Sequence, residues 1–170
     1  MTLILKCVNI IYEKGDVLFL KKVMFVCTGN TCRSAMAAAY MQYLVKTKQK
    51  QDDYLISSCG VSAVTGTSAT LNSIYVMKKH GVDMVKHRST YIEDINIKDY
   101  DYIFCMTSSQ KLAVLSLYPS LSNKTYTLKE YILHDNKNLD IEDPYGSDIE
   151  KYEKVANEIM SCIDKLLKLI

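Results

Sequence analysis

The chain has 170 residues, enough for one domain with a buried core, and its 48% apolar and 24% charged residues suit a globular protein. Its 21 basic and 19 acidic side chains leave a net charge of +2, which gives no reason to expect a nucleic-acid partner. Its six cysteines form no C-x-x-C pair, so neither a zinc site nor a secretory disulfide framework is expected, and no metal or cofactor is implied.

Residues 1–20 read as an N-terminal extension ahead of a domain at 21–170. Their apolar stretches, Leu3–Ile11 and Val17–Leu20, are broken by Lys6, Glu13, Lys14 and Asp16, so neither a membrane span nor a signal peptide is expected. A misassigned start is one expectation. Glu13 to Asp16 can be encoded by a purine-rich run resembling a ribosome-binding site, with Leu20 as the first residue.

Val23–Val26 is a short apolar strand. A glycine-containing loop follows, then Ser34–Val45 with high helix propensity. Lys46–Asp53 reads as a solvated turn, Tyr54–Ser58 as a second strand and Gly60–Thr67 as a loop. Ser68–His80 has helical spacing and Gly81 stops it. Asp101–Met106 is a third strand, Ser108–Leu117 a helix ending before Pro119, and Lys124–Leu128 a fourth strand. After the turn at Asp143-Pro-Tyr-Gly146, Ile149–Ile170 is a long amphipathic helix. Alternating strands and helices predict an α/β fold, a single domain with a four-stranded parallel sheet and helices on both faces. Ligands of such sheets bind at the carboxyl ends of the strands.

Cys27 sits where the first strand ends, and Arg33 follows at C-x5-R spacing just before the helix. A loop of this length can curl its N–H groups inward as an anion nest, backed by the positive end of the helix. Arg33 offers parallel donors to phosphate oxygens. Gly29 and Asn30 tolerate left-handed backbone conformations. A sulfur at the base of this field is favoured as the nucleophilic thiolate. Ser34 can donate to that sulfur, and can also cap the helix. Spacing alone leaves room for coincidence, since a buried cysteine and a helix-start arginine are common.

The run Val23-Met-Phe-Val-Cys27-Thr-Gly-Asn30-Thr-Cys-Arg33-Ser-Ala-Met-Ala37 resembles the low-molecular-weight protein tyrosine phosphatases over roughly Lys22 to the C-terminus. The resemblance implies a cytoplasmic hydrolase, working as a monomer on phosphorylated proteins through a phosphocysteine intermediate. It implies Cys27 as nucleophile, Arg33 as phosphate clamp, Ser34 as thiolate partner and Asn30 as loop stabiliser, with Thr28, Gly29, Thr31 and Cys32 completing the phosphate loop. Ala35 stands where many members have proline. Asp143-Pro-Tyr145, a routine turn on its own, then becomes the place of the general acid, with Tyr145 as a wall of the entrance. Asp140 and Glu142 read as solvated loop charges.

Thr31, with Thr127-Leu-Lys-Glu-Tyr131 and with His87 and Ser89, resembles the bacterial protein arginine phosphatase subgroup. That implies hydrolysis of phosphoarginine ahead of phosphotyrosine. Cys32 is implied as a redox partner that forms a reversible disulfide with Cys27. Cys59, Cys105 and Cys162 read as buried thiols, and His80, His87 and His134 as packing or surface residues. The competing readings are a phosphotyrosine-specific phosphatase, a thioredoxin-coupled arsenate reductase, which needs relay cysteines, and a non-catalytic phosphoprotein-binding module.

Overall fold

A computed structural model describes residues 10–13, 16–133 and 138–170 of the chain. Cys7 and His134 lie outside the described residues, as does most of the apolar stretch expected over Leu3–Ile11. Two short strands precede the main sheet, β1 (Ile10–Glu13) and β2 (Asp16–Phe19), paired antiparallel with Glu13 opposite Asp16. The expectation had only an interrupted apolar extension here. Two residues separate the strands in sequence, one of them glycine, and that is the length short hairpins favour.

The main sheet contains β3 (Lys21–Cys27), β4 (Tyr54–Gly60), β5 (Tyr102–Cys105) and β6 (Thr125–Thr127), all parallel, in the order β4-β3-β5-β6. Side chains alternate across β3. Val23 and Phe25 pack under α1 (Arg33–Thr47), α2 (Leu71–Lys79) and α5 (Ile149–Leu166). Met24 and Val26 pack on the opposite face with Ile103, Cys105 and Val114, the last from α3 (Ser108–Leu117). The predicted four-stranded sheet with helices on both faces is therefore the observed one.

Chain order places the site. From β3 the chain crosses to β4 on one side, and later to β5 on the other. The carboxyl end of β3 is thus the point where the sheet order reverses, the usual ligand crevice of such sheets. Cys27 is the last residue of β3.

Several boundaries differ from expectation for local reasons. α2 begins at Leu71 rather than Ser68, because the Thr70 side chain caps it by accepting from the Ser73 N–H at 3.3 Å. α5 ends at Leu166 rather than Ile170, and Asp148 caps its start. A helix that was not expected, α4 (Leu128–Leu133), follows β6 directly. Thr127 starts it by accepting from the Glu130 N–H at 3.1 Å, while its hydroxyl meets the Glu130 carboxylate at 3.2 Å. No described helix is long and apolar enough to cross a membrane.

Candidate active site

The loop from Cys27 to Arg33 wraps around one sulfur. The Ser34 hydroxyl donates to Cys27 Sγ at 3.0 Å and the Asn30 N–H donates to it at 3.2 Å. Asn30 takes a left-handed conformation, φ 54°, which turns its N–H inward. Its side chain bridges the structure below the loop. Nδ2 donates to the Ser34 hydroxyl at 2.8 Å and the Ser58 hydroxyl at 2.9 Å, and Oδ1 accepts from the Thr90 N–H at 2.9 Å. The Asn30 carbonyl accepts from His87 Nε2 at 2.7 Å. Because a carbonyl only accepts, Nε2 carries the proton.

Two sequence expectations change here. Gly29 is not among the residues with positive φ, so only Asn30 uses the left-handed freedom assigned to both. Ser34 does not cap α1. The helix starts at Arg33 with Cys32 as cap residue and no side-chain cap bond, which leaves the Ser34 hydroxyl for sulfur.

Above the sulfur is a cavity of about 420 Å³. Thr28, Gly29, Thr31, Cys32 and Arg33 line it from the loop, with Cys27 at its floor. Asn30 and Ser34, expected among the phosphate-binding residues, are fully buried and do not line it; they support the loop from beneath. The segment after β4 adds Ser62, Val64, Thr67, Ser68 and Thr70, and Asp143 and Tyr145 close the far side. Tyr145 is 72% exposed and lines the cavity. Among the cavity residues Arg33 carries the lone cationic side chain.

Arg33 is buried and points at the Asp143 segment. Its Nη1 donates to the Ile141 carbonyl at 3.1 Å, and its Nη2 pairs with the Asp143 carboxylate. The other Asp143 oxygen accepts from the Tyr145 N–H at 3.1 Å, an Asx turn that Pro144 stiffens. The Arg33 fork still has N–H groups to offer a phosphate.

Cys32 Sγ lies 3.5 Å from the Thr70 hydroxyl and 3.5 Å from the Tyr152 hydroxyl. Burial, reinforced by the contact with Cys32, pushes the Tyr152 phenol up to about 12. Cys27 and Cys32 are both free thiols. Cys59, Cys105 and Cys162 are buried, as expected. Burial, with the Cys27 charge second, pushes the Cys59 thiol up to about 12, and burial also raises Cys105.

Three supporting roles escaped the sequence reading. Gly60 pairs with Cys27 across β3 and β4, directly below the loop. His87 braces Asn30, a role that its lack of ligand spacing did not suggest. Gln110, at the start of α3, donates from Nε2 to the Thr28 hydroxyl at 3.1 Å.

Known proteins resemble the chain over most of its length. A protein-arginine-phosphatase from Geobacillus stearothermophilus is 36% identical over 145 residues, 85% of this chain and 93% of the relative. A low-molecular-weight protein-tyrosine-phosphatase from Staphylococcus epidermidis is 32% identical over 146 residues, 85% of this chain and 96% of the relative. The crystal structure of a low-molecular-weight protein tyrosine phosphatase from T. tengcongensis superposes with a TM-score of 0.81 at 37% identity, covering 88% of this chain and 99% of that one. The sequence profile described as low molecular weight phosphotyrosine protein phosphatase matches residues 22–170, and the chain belongs to that family of phosphatases.

Proposed function

We propose that the chain removes phosphoryl groups from proteins through a phosphocysteine at Cys27, with phosphoarginine preferred to phosphotyrosine. The observation that carries the catalytic reading is the doubly hydrogen-bonded Cys27 sulfur on the floor of a cavity that Arg33 and Asp143 also line. Phosphate oxygens bind the loop N–H groups and the Arg33 fork. The Cys27 thiolate attacks phosphorus in line with the leaving group, forming the S–P bond as the P–N or P–O bond breaks. Asp143 gives its proton to the departing nitrogen or oxygen. Its carboxylate then takes a proton from water, which attacks the phosphocysteine, releases phosphate and restores the thiolate. Ser34 steadies that thiolate as it leaves.

Arginine preference rests on what surrounds the leaving group. Thr31 lines the cavity, and a second, polar wall is built by Ser62, Thr67, Ser68 and Thr70 of the segment after β4. Such a wall can accept from a guanidinium, and the Asp143 carboxylate can face its charge. The likeness to a protein-arginine-phosphatase supports the same reading. A phosphotyrosine ring would find Tyr145 and Val64 as apolar partners, which keeps the tyrosine reading as the second.

The arsenate-reductase reading needs accessible relay thiols, and the burial of Cys59 and Cys105 argues against it. A non-catalytic binder has no need of Asp143 beside Arg33. The near balance of charge supports a protein partner over nucleic acid, and a cysteine spacing that matches no secretory disulfide framework supports a reducing compartment such as the cytoplasm. The deciding experiment compares kcat/KM on peptides carrying phosphoarginine and phosphotyrosine. Faster turnover of phosphoarginine is expected, and Thr31→Ile should move the ratio towards tyrosine. A wild-type enzyme far faster on phosphotyrosine would overturn the arginine assignment.

A further inference from the structure

The segment carrying Asp143 is fastened just upstream of the carboxylate. Asp140 Oδ1 accepts from the Ser108 N–H at 2.7 Å and from the Ser108 hydroxyl at 2.8 Å. It is therefore an anchor at the start of α3 as well as an exposed charge. The Ile141 N–H donates to the Met106 carbonyl at 2.8 Å, and the Ile141 side chain is fully buried.

Two cations hold the next two carbonyls. Arg33 takes that of Ile141 at 3.1 Å. Lys129 of α4 takes that of Asp140, with Nζ at 3.3 Å. Lys129 lines no part of the cavity and is 6% exposed. Glu158 of α5 anchors its ammonium at 2.9 Å. Burying an ammonium is costly unless it is both paired and hydrogen-bonded. Lys129 meets both conditions, and its hydrogen bond falls on the backbone that carries Asp143. The Lys129–Glu158 pair thus ties the Asp143 segment to α4 and α5, while Arg33 ties it to the phosphate loop.

We propose that Lys129, anchored by Glu158, is a positioning residue that sets the Asp143 carboxyl at the height where it can protonate the leaving group. The proposal rests on Asp143 being the general acid. Misplacing a reacting group by about 1 Å costs on the order of a hundredfold. The loss should appear where protonation matters, on poor leaving groups, and not where the leaving group departs unaided.

The test measures kcat/KM on p-nitrophenyl phosphate, a good leaving group, and phenyl phosphate, a poor one. Asp143→Asn is the reference and should lower the phenyl rate far more than the nitrophenyl rate. Lys129→Met should reproduce that pattern, about tenfold to a hundredfold on phenyl phosphate and less than about threefold on p-nitrophenyl phosphate. Lys129→Arg, which keeps a donor, should recover most of the loss. A merely structural role would lower both substrates together, because a smaller folded fraction affects each equally. If Asp143→Asn is selective and Lys129→Met is not, the positioning role is overturned and the acid assignment stands. If Asp143→Asn is itself unselective, the acid assignment falls and takes this inference with it. Should Lys129→Met fail to fold, Glu158→Gln carries the test, because it frees the ammonium from its anchor. A phenyl-selective loss of at least about threefold is then expected, and its absence overturns the proposal.

Discussion

A β-carbon on Gly60 would lie 2.4 Å from the carbonyl oxygen of Thr28 and 3.0 Å from the backbone nitrogen of Asn30. Both contacts are with backbone, which cannot swing aside as a side chain can. Gly60→Ala must therefore displace the phosphate loop or the end of β4. Overpacking of this kind costs about 1–3 kcal/mol of stability. The expected outcome is a lowered Tm and a loss of kcat/KM of about a hundredfold, since the loop must be held to within a fraction of an ångström. Gly29→Ala is the contrast. Its β-carbon would meet only Thr31 Oγ1, at an ordinary 3.7 Å. Activity in Gly29→Ala should exceed that of Gly60→Ala by at least about tenfold; equal losses would refute the steric account.

The Ser34 hydroxyl accepts from Asn30 Nδ2 and donates to Cys27 Sγ at 3.0 Å, the Cys59 carbonyl at 3.3 Å being the longer alternative for its one proton. A hydrogen bond to a charged group contributes about 1.5–3 kcal/mol, or about 10- to 150-fold in rate if it acts on a single step. Ser34→Ala should slow breakdown of the phosphocysteine by that factor, because the sulfur leaves without its donor. Rapid mixing with p-nitrophenyl phosphate should show a burst of nitrophenol followed by a slower steady state. A variant with wild-type turnover and no burst would remove Ser34 from the reaction.

The local parts of this site are legible in the sequence. Strand, C-x5-R loop and helix are consecutive, so Val23 to Val45 places Cys27, Asn30 and Arg33 without knowledge of the rest of the fold. The missed parts depend on pairing. Gly60 reaches Thr28 because β4 lies beside β3, and His87 reaches Asn30 from another crossing of the chain. Neither has a local pattern that announces it. α4 is different, because Thr127-x-x-Glu130 is a capping-box spacing visible in the sequence. A strand expected to continue to Leu128 conceals it. Asp140 shows the limit from the other side. Its charge suggests solvent, yet α3 supplies it with two donors.

We propose that Cys32 shields Cys27 once its sulfur leaves the Thr70 and Tyr152 hydroxyls. Peroxide would oxidise Cys27 to the sulfenic acid, and attack by the Cys32 thiol would form the disulfide and release water. The enzyme should then lose activity to hydrogen peroxide and regain it with dithiothreitol. In Cys32→Ser the sulfenic acid has no neighbouring thiol and proceeds to irreversible acids. The quantity to compare is the fraction of each protein's own starting activity that dithiothreitol restores. Equal recovery in the two would exclude Cys32 as the resolving thiol.

His87 gives the fold a pH dependence with a definite sign. Burial lowers its pKa below the ordinary 6.5, the bond to the Asn30 carbonyl opposes this, and the Arg88 charge adds to the lowering. Well above pH 6.5 the ring is neutral in both folded and unfolded chains, and His87 adds nothing to the pH dependence. As pH falls through 6.5 the unfolded chain takes up a proton that the folded chain resists. Stability should therefore fall on acidification, with a slope from this group of at most about 1.4 kcal/mol per pH unit. The fall stops once pH passes below the lowered folded value. His87→Gln keeps an N–H donor for the Asn30 carbonyl but cannot titrate, so it should lose this component. Urea midpoints at about pH 7.5 and about pH 5.5 measure it. The wild type should lose more stability between those values than the variant does. An identical loss in both would show that His87 takes up its proton alike in the folded and unfolded chains, so that the fold does not hold it neutral.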